Sequence, residues 1–227
     1  MAAEEAPTPL NPGESAPEFV LPRPDQEGTV SLDDFRGRPL LITLMRGVQC
    51  PFCRRNVVLL GQIAPALRQV GVEVLAIVGT TAERARLYFR YRPASIALAA
   101  DPELAIHRDY GIPCYPVTPE LRDQYRATRV DPFKELSAPV PLLGPDGKEV
   151  HDVFDRLDGF VPSEVDQHDR TRQFRESVQL CGQYMLDRHG IVRWAHVEGA
   201  SGGLATAGIF PNRDTLISVA QGLPANG

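Results

Sequence analysis

The feature that most constrains this chain is a cysteine pair, Cys50-Pro51-Phe52-Cys53, a few residues after the apolar run from Pro39 to Met45. Such a continuous run suits a strand buried on both faces of a parallel sheet, and Pro51 suits the first position of a helix, where a missing N–H is no loss. The pair therefore sits where a strand runs into a helix, with Cys50 at the N-cap. A sulfur there feels the unpaired N–H groups and the positive end of the helix dipole, and Arg46, Arg54 and Arg55 lie within a few residues. A free thiol titrates near ~8.5, so a fall of roughly two units makes the thiolate dominant at neutral pH. The expectation is a redox-active C-x-x-C that closes a reversible disulfide, with Cys50 the more reactive thiol.

Competing chemistries find less support. A zinc ribbon or finger needs a second C-x-x-C or a paired histidine motif, and His107, His151, His168, His189 and His196 are scattered. No metal and no cofactor is expected. The formal charge of −5 does not suggest nucleic-acid binding. The Arg-rich stretch from Glu83 to Arg92 reads as one amphipathic helix with a solvated face. The acidic residues between Asp152 and Asp158 lack the spacing of a calcium loop, and the segment from Gly199 to Gly208 lacks the pattern of a phosphate cradle and reads as a flexible loop. No run approaches the ~18 to 20 apolar residues of a membrane span, and Met1 to Ala16 shows no secretion signal, so the expectation is a cytoplasmic protein. Four cysteines in a reducing cytosol point to catalysis or sensing rather than structural cross-links.

The order of elements gives the architecture. Short strands are expected near Phe19 to Leu21 and Thr29 to Leu32, then the buried strand at 39–45 and a helix from Pro51 kinked at Pro65. Val72 to Val78 is a second buried strand, and Thr80 with Glu83 forms a capping box for the next helix. Ile96 to Ala100 is a third strand, followed by a helix starting at Asp101-Pro102 and stopped at Gly111. Gln183 to Asp187 and Ile191 to Val197 form a hairpin, and Asp214 to Gln221 a final helix. This predicts an α/β thioredoxin-like fold: a central mixed sheet flanked by helices, an N-terminal β extension and a long insertion before the C-terminal hairpin. Residues 1–14 are expected to be a disordered tail and 15–227 one domain with an insertion at 115–179.

Four pieces carry a resemblance: Ala16-Pro17-Glu18-Phe19, the segment Leu32 to Pro39, the C-x-x-C and the hairpin 183–197. Over roughly residues 13 to 113 and 180 to 223 the chain resembles the redoxins of the alkyl hydroperoxide reductase and thiol-specific antioxidant family, in its peroxiredoxin-like branch. That family carries P-x-x-x-T-x-x-C, and here neither register keeps it. With Cys53 in the peroxide-attacking place, Cys50 falls at the Thr and Arg46 at the Pro; with Cys50 there, Gly47 and Thr43 do. The family's stabilising Arg would fall at Cys181, and its loss removes preorganised charge that Arg46 or Arg54 would have to supply. In the resembling fold, Cys181 lies beside the active-site helix, where a third thiol could resolve a sulfenic acid or join Cys50 and Cys53 in a Cu(I) site. Cys114 carries a weaker signal.

The resemblance implies a thiol oxidoreductase with Cys50, Cys53, Cys181 and Arg46 as site residues. A C-x-x-C thiolate attacks a hydroperoxide, the sulfenic acid condenses with its partner, and a dithiol such as a thioredoxin-like protein restores the pair. One alternative is a thioredoxin-like reductase of protein or small-molecule disulfides. Another is a redox sensor or Cu(I)-binding module. The Pro-rich insertion, with a turn at Gly144 to Gly147, is expected to be a lid or a homodimer surface, dispensable for the core fold.

Overall fold

The apolar run fixes the centre of the sheet. The computed structural model describes residues 8–143, 150–200 and 202–224, the side chains of 170–175 excepted, so the turn expected at Gly144 to Gly147 lies outside the described residues. In chain order the elements are β1 (Val20–Pro22), β2 (Thr29–Ser31), β3 (Leu40–Met45), α1 (Pro51–Gln69), β4 (Glu73–Val78), α2 (Ala82–Tyr91), β5 (Ala97–Ala100) and α3 (Ala105–Asp109). The insertion then supplies β6 (Cys114–Pro116), α4 (Pro119–Ala127), β7 (Arg129–Val130), β8 (Val140–Pro141), α5 (Val150–Asp158), α6 (Glu164–Arg175) and β9 (Ser177–Gln179). β10 (Gly182–Leu186), β11 (Val192–Val197) and α7 (Arg213–Gln221) close the chain.

Every residue of β3 is buried, and the strand lies in the middle of the order β11-β10-β3-β4-β5. It pairs in parallel with β4 and antiparallel with β10, so the sheet is mixed and β3 is paired on both edges from Leu40 to Leu44. The fold is thioredoxin-like, as the element order implies. Helix α1 lays Val57, Leu60, Ile63, Ala64 and Leu67 on the sheet at the three- and four-residue spacing of one helix face. It runs unbroken through Pro65, where a kink is expected. Among the described residues no helix is long and apolar enough to cross a membrane.

Three local expectations shift. The cap of α2 is Thr81, whose hydroxyl accepts from the Arg84 N–H at 3.3 Å, and Thr80 is buried instead. Asp101 does cap α3, accepting from Ala105 and Ile106, but the helix starts at Ala105 because Leu104 takes a left-handed conformation with φ 53°. The N-terminal segment, read as tail through residue 14, is fastened from Leu10: its N–H donates to the Tyr110 carbonyl, Gly13 to Val192, and Ser15 bridges to Ile191.

The insertion leaves and rejoins through one antiparallel neck, with Cys114 opposite Gln179 and Pro116 opposite Ser177. Its packing is continuous with the core. Tyr125, Val130, Leu142, Val150, Phe154 and Val178 belong to the same buried cluster as the sheet. The reason lies in α1: Phe52 in its first turn is apolar, and Phe133 and Phe154 cover it at ring separations of 6.1 and 5.5 Å.

Candidate functional site

The strand–helix junction puts Cys50 at the N-cap of α1, in extended backbone conformation, with Pro51 at the first helical position. Cys53 is one turn on, on the same side of the helix. The third thiol arrives from the other end of the chain. Because β10 pairs with β3, Cys181, the residue before β10, is brought beside the start of α1, and its sulfur is 3.6 Å from that of Cys53. Cys50 and Cys53 interact through their thiols, so the three sulfurs form one chain.

This cluster is dry. Cys50 and Cys181 are 0% exposed and Cys53 is 2% exposed. Burial pushes the Cys50 thiol up to about 12, and its hydrogen bond to Cys53 adds to the rise, against the opposing pull of Arg46 and of a hydrogen bond with His151. Burial likewise pushes Cys53 up to about 12, helped by its contact with Cys181. The expected low-titrating Cys50 is therefore corrected. The helix terminus is there, but desolvation under the insertion outweighs it, and Cys50 makes no side-chain capping bond.

The flanking arginines are not a free cationic field either. Arg54 donates to the Val48 carbonyl and pairs with Asp155 at 2.6 Å, its guanidinium 3.9 Å from the Phe160 ring. Arg55 pairs with Asp158 and Glu135. Arg46 is the one that reaches the thiols. Burial opposes its charge, but the carboxylate of Glu198 beside it keeps it protonated. It forms a two-pronged ion pair with buried Glu198 and donates to the Gln179 carbonyl at 3.2 Å. Glu198 in turn accepts from the N–H groups of Cys181 at 3.1 Å and Gly208 at 2.7 Å. Gly208 thereby closes on the site, just after a short 3-10 turn at Gly203–Thr206.

Two residues of this site escape sequence reasoning. Glu198 gives no signal until its partner is known, because a single carboxylate after a strand is ordinary. His151 comes from α5 in the insertion, about a hundred residues from Cys50 in sequence, and no spacing rule links them. Arg46, Phe52, His151 and Glu198 help to line a cavity of about 30 Å³, room for roughly two water-sized molecules. Among the described residues no group of three His, Cys, Asp or Glu side chains is arranged to hold a metal ion, so the Cu(I) reading of the three cysteines finds no support.

A buried nucleophile chain with an imidazole at one end and a guanidinium alongside is suited to thiol chemistry on a small oxidant. Comparison with known proteins gives the family. The AhpC/TSA family model matches residues 12–195. Peroxiredoxin Q, chloroplastic, of Sedum lineare is 26% identical over 102 residues, 44% of this chain and 54% of that protein. Peroxiredoxin Q, chloroplastic, of Populus jackii is 25% identical over 105 residues, 46% of this chain and 48% of that one. The chain thus spans about half the length of the curated relatives it matches. In structure, peroxidoxin BcpB from Mycobacterium tuberculosis aligns with a TM-score of 0.55 at 10% identity, covering 95% of this chain and 99% of that one. The peroxiredoxin-like protein from Aquifex aeolicus aligns with a TM-score of 0.55 at 13% identity, covering 95% and 89%. These likenesses carry the fold, and the family match carries the kinship: this chain belongs to the AhpC/TSA family.

Proposed function

We propose that this protein is a thiol peroxidase acting on small hydroperoxides through Cys50, Cys53 and Cys181. The observation that carries the reading is the enclosed sulfur chain with Arg46 and His151 beside it. Cys50 is the attacking thiol: its proton passes to His151 as the sulfur takes the outer oxygen of the peroxide, giving a sulfenic acid and releasing the alcohol or water. The Arg46 guanidinium supports the negative charge that builds on the reacting atoms. Cys53 then attacks the sulfenic sulfur, water leaves, and a disulfide remains. Cys181, in contact with Cys53, then takes over that disulfide, and an external dithiol, such as a thioredoxin-like protein, returns all three sulfurs to thiols.

Burial favours peroxide over a protein disulfide as substrate. A disulfide on another protein must meet the attacking sulfur along its own axis, and Cys50 is 0% exposed. The test is hydrogen peroxide consumption with thioredoxin and its reductase as electron source, run beside reduction of insulin disulfides. Peroxide turnover that is lost in Cys50→Ser, without insulin reduction, supports the reading. Insulin reduction without peroxide turnover overturns it in favour of a disulfide reductase.

A further inference from the structure

Cys114 takes no part in the thiol cluster. It is the exposed one of the four free cysteines, on β6 opposite Gln179 of β9. It also lines a second cavity, of about 240 Å³, which opens where β3, β4 and β5 end. The crevice beyond the C-terminal ends of parallel strands is where α/β folds place ligands. Arg46 contributes to the walls of this cavity and of the small one lined by His151 and Glu198.

The chemistry of the walls says what fits. Thr80 is 3% exposed and its hydroxyl has no hydrogen-bond partner, and Nε of Arg46 has none either. Unmet buried donors are rare, and a ligand acceptor in the cavity would satisfy them. Arg84 reaches the lining with its guanidinium already paired to Asp169 at 2.7 Å and to Asp166 at 2.5 Å, so it leaves the lining carboxylate Asp169 satisfied rather than free. The Thr80 hydroxyl and Nε of Arg46 are thus the donors left for a ligand, and the Cys114 thiol shares the same walls.

We propose that this cavity is a mixed-disulfide site for a low-molecular-weight thiol that carries a carboxylate, held by Thr80 and joined to Cys114. The step is a simple exchange. The Cys114 thiolate attacks one sulfur of the symmetric disulfide of that small thiol, a new sulfur–sulfur bond forms, and the other half leaves as a thiolate that takes up the proton Cys114 gave to solvent. Cys114 is oxidised and the departing sulfur reduced. The adduct sits on the neck that carries Gln179, two residues from Cys181. The proposal does not depend on peroxidase activity, because Cys114 reacts without the buried thiols.

The test treats the full chain with glutathione disulfide, which bears carboxylates, or with 2-hydroxyethyl disulfide, which bears none, and locates adducts by peptide mass. Glutathione disulfide is expected to modify Cys114, and Thr80→Val to slow this about tenfold, the value of one hydrogen bond to a charged acceptor. With 2-hydroxyethyl disulfide the variant and the parent should react at one rate. S-methylglutathione, which cannot form a disulfide, should slow the first reaction and leave the second unchanged. Equal rates for Thr80→Val and parent with both disulfides, or no competition by S-methylglutathione, would leave Cys114 an ordinary exposed thiol and overturn the proposal. Should Thr80→Val fold poorly, the competition on the parent chain decides alone.

Discussion

The sulfurs of Cys53 and Cys181 stand 3.6 Å apart, although 128 residues separate them in sequence. That contact makes Cys53 the middle member of the thiol chain, with a partner on each side. Removing Cys50 should therefore not leave Cys53 without a disulfide partner. We expect Cys50→Ser, oxidised with a mild disulfide reagent, to form a Cys53–Cys181 bond detectable in peptide maps, and Cys50→Ser with Cys181→Ser to form none. If the single variant gives only intermolecular dimers or an over-oxidised Cys53, Cys181 is a packing residue and has no part in the chemistry.

Alkaline pH should undo the site. The folded Cys50 and Cys53 thiols titrate near 12, against an ordinary value of 9.0. Between those limits the unfolded chain loses protons that the folded one keeps, so stability is full below about pH 9 and falls as pH rises towards about 12. The expected result is a denaturation midpoint that drops through that window in the parent and much less in Cys50→Ala. A parent midpoint that holds steady across the window would mean that the buried thiols ionise without difficulty.

His107 should act on the acid side. It is 0% exposed, neither ring nitrogen has a hydrogen-bond partner, and burial lowers its titration to about 3, with Arg46 and Arg108 adding to the effect. The unfolded histidine gains a proton below about 6.5 while the folded one stays neutral, so stability is present above that pH and is lost as pH falls towards about 3. Replacing it by Leu, similar in bulk and unable to titrate, should flatten this acid limb. The same slope in parent and His107→Leu would assign the acid loss to other groups.

The ion pair behind the thiols gives a larger effect. Glu198 meets Arg46 with both oxygens and also accepts the N–H groups of Cys181 and Gly208. Glu198→Ala leaves a buried guanidinium uncompensated, which costs about 3–5 kcal/mol. Chemical denaturation should show that loss, and peroxide turnover should fall with it in whatever fraction remains folded. A loss below about 1 kcal/mol would put the pair in the class of exposed bridges, in conflict with its burial.

Much of the fold is legible in the sequence because it rests on local patterns. The apolar run marks β3, Pro51 and Cys50 mark the start of α1, and the turn before Ile191 marks the hairpin. The thiols' neighbourhood is legible in part. Cys181 lands beside Cys53 because the β10–β3 pairing follows from the element order. The electrostatics are not legible, since they depend on pairs remote in sequence: Arg54 with Asp155, Arg46 with Glu198, His151 with Cys50. A helix N-terminus lowers a thiol's titration when water or charge can reach it, and whether an insertion buries that terminus is decided by tertiary packing.

That packing supplies the remaining prediction. Phe154 of α5 is 0% exposed and lies 5.5 Å from Phe52 and 5.6 Å from Phe133, so an aromatic cluster supplies the apolar part of the insertion's hold on the first turn of α1, beside the ion pairs of Arg54 and Arg55. Phe154→Ala should cost about 3–5 kcal/mol through the cavity it leaves. It should also let water reach Cys50 and Cys53, lowering their titration and raising their alkylation rate by iodoacetamide at pH 8, while Phe154→Leu, which keeps most of the volume, should change both far less. The two readouts separate lid from core. Loss of stability with alkylation as slow as in the parent would make α5 a packing element that does not guard the thiols. Fast alkylation with stability intact would make the insertion the removable lobe that its Pro-rich sequence suggests.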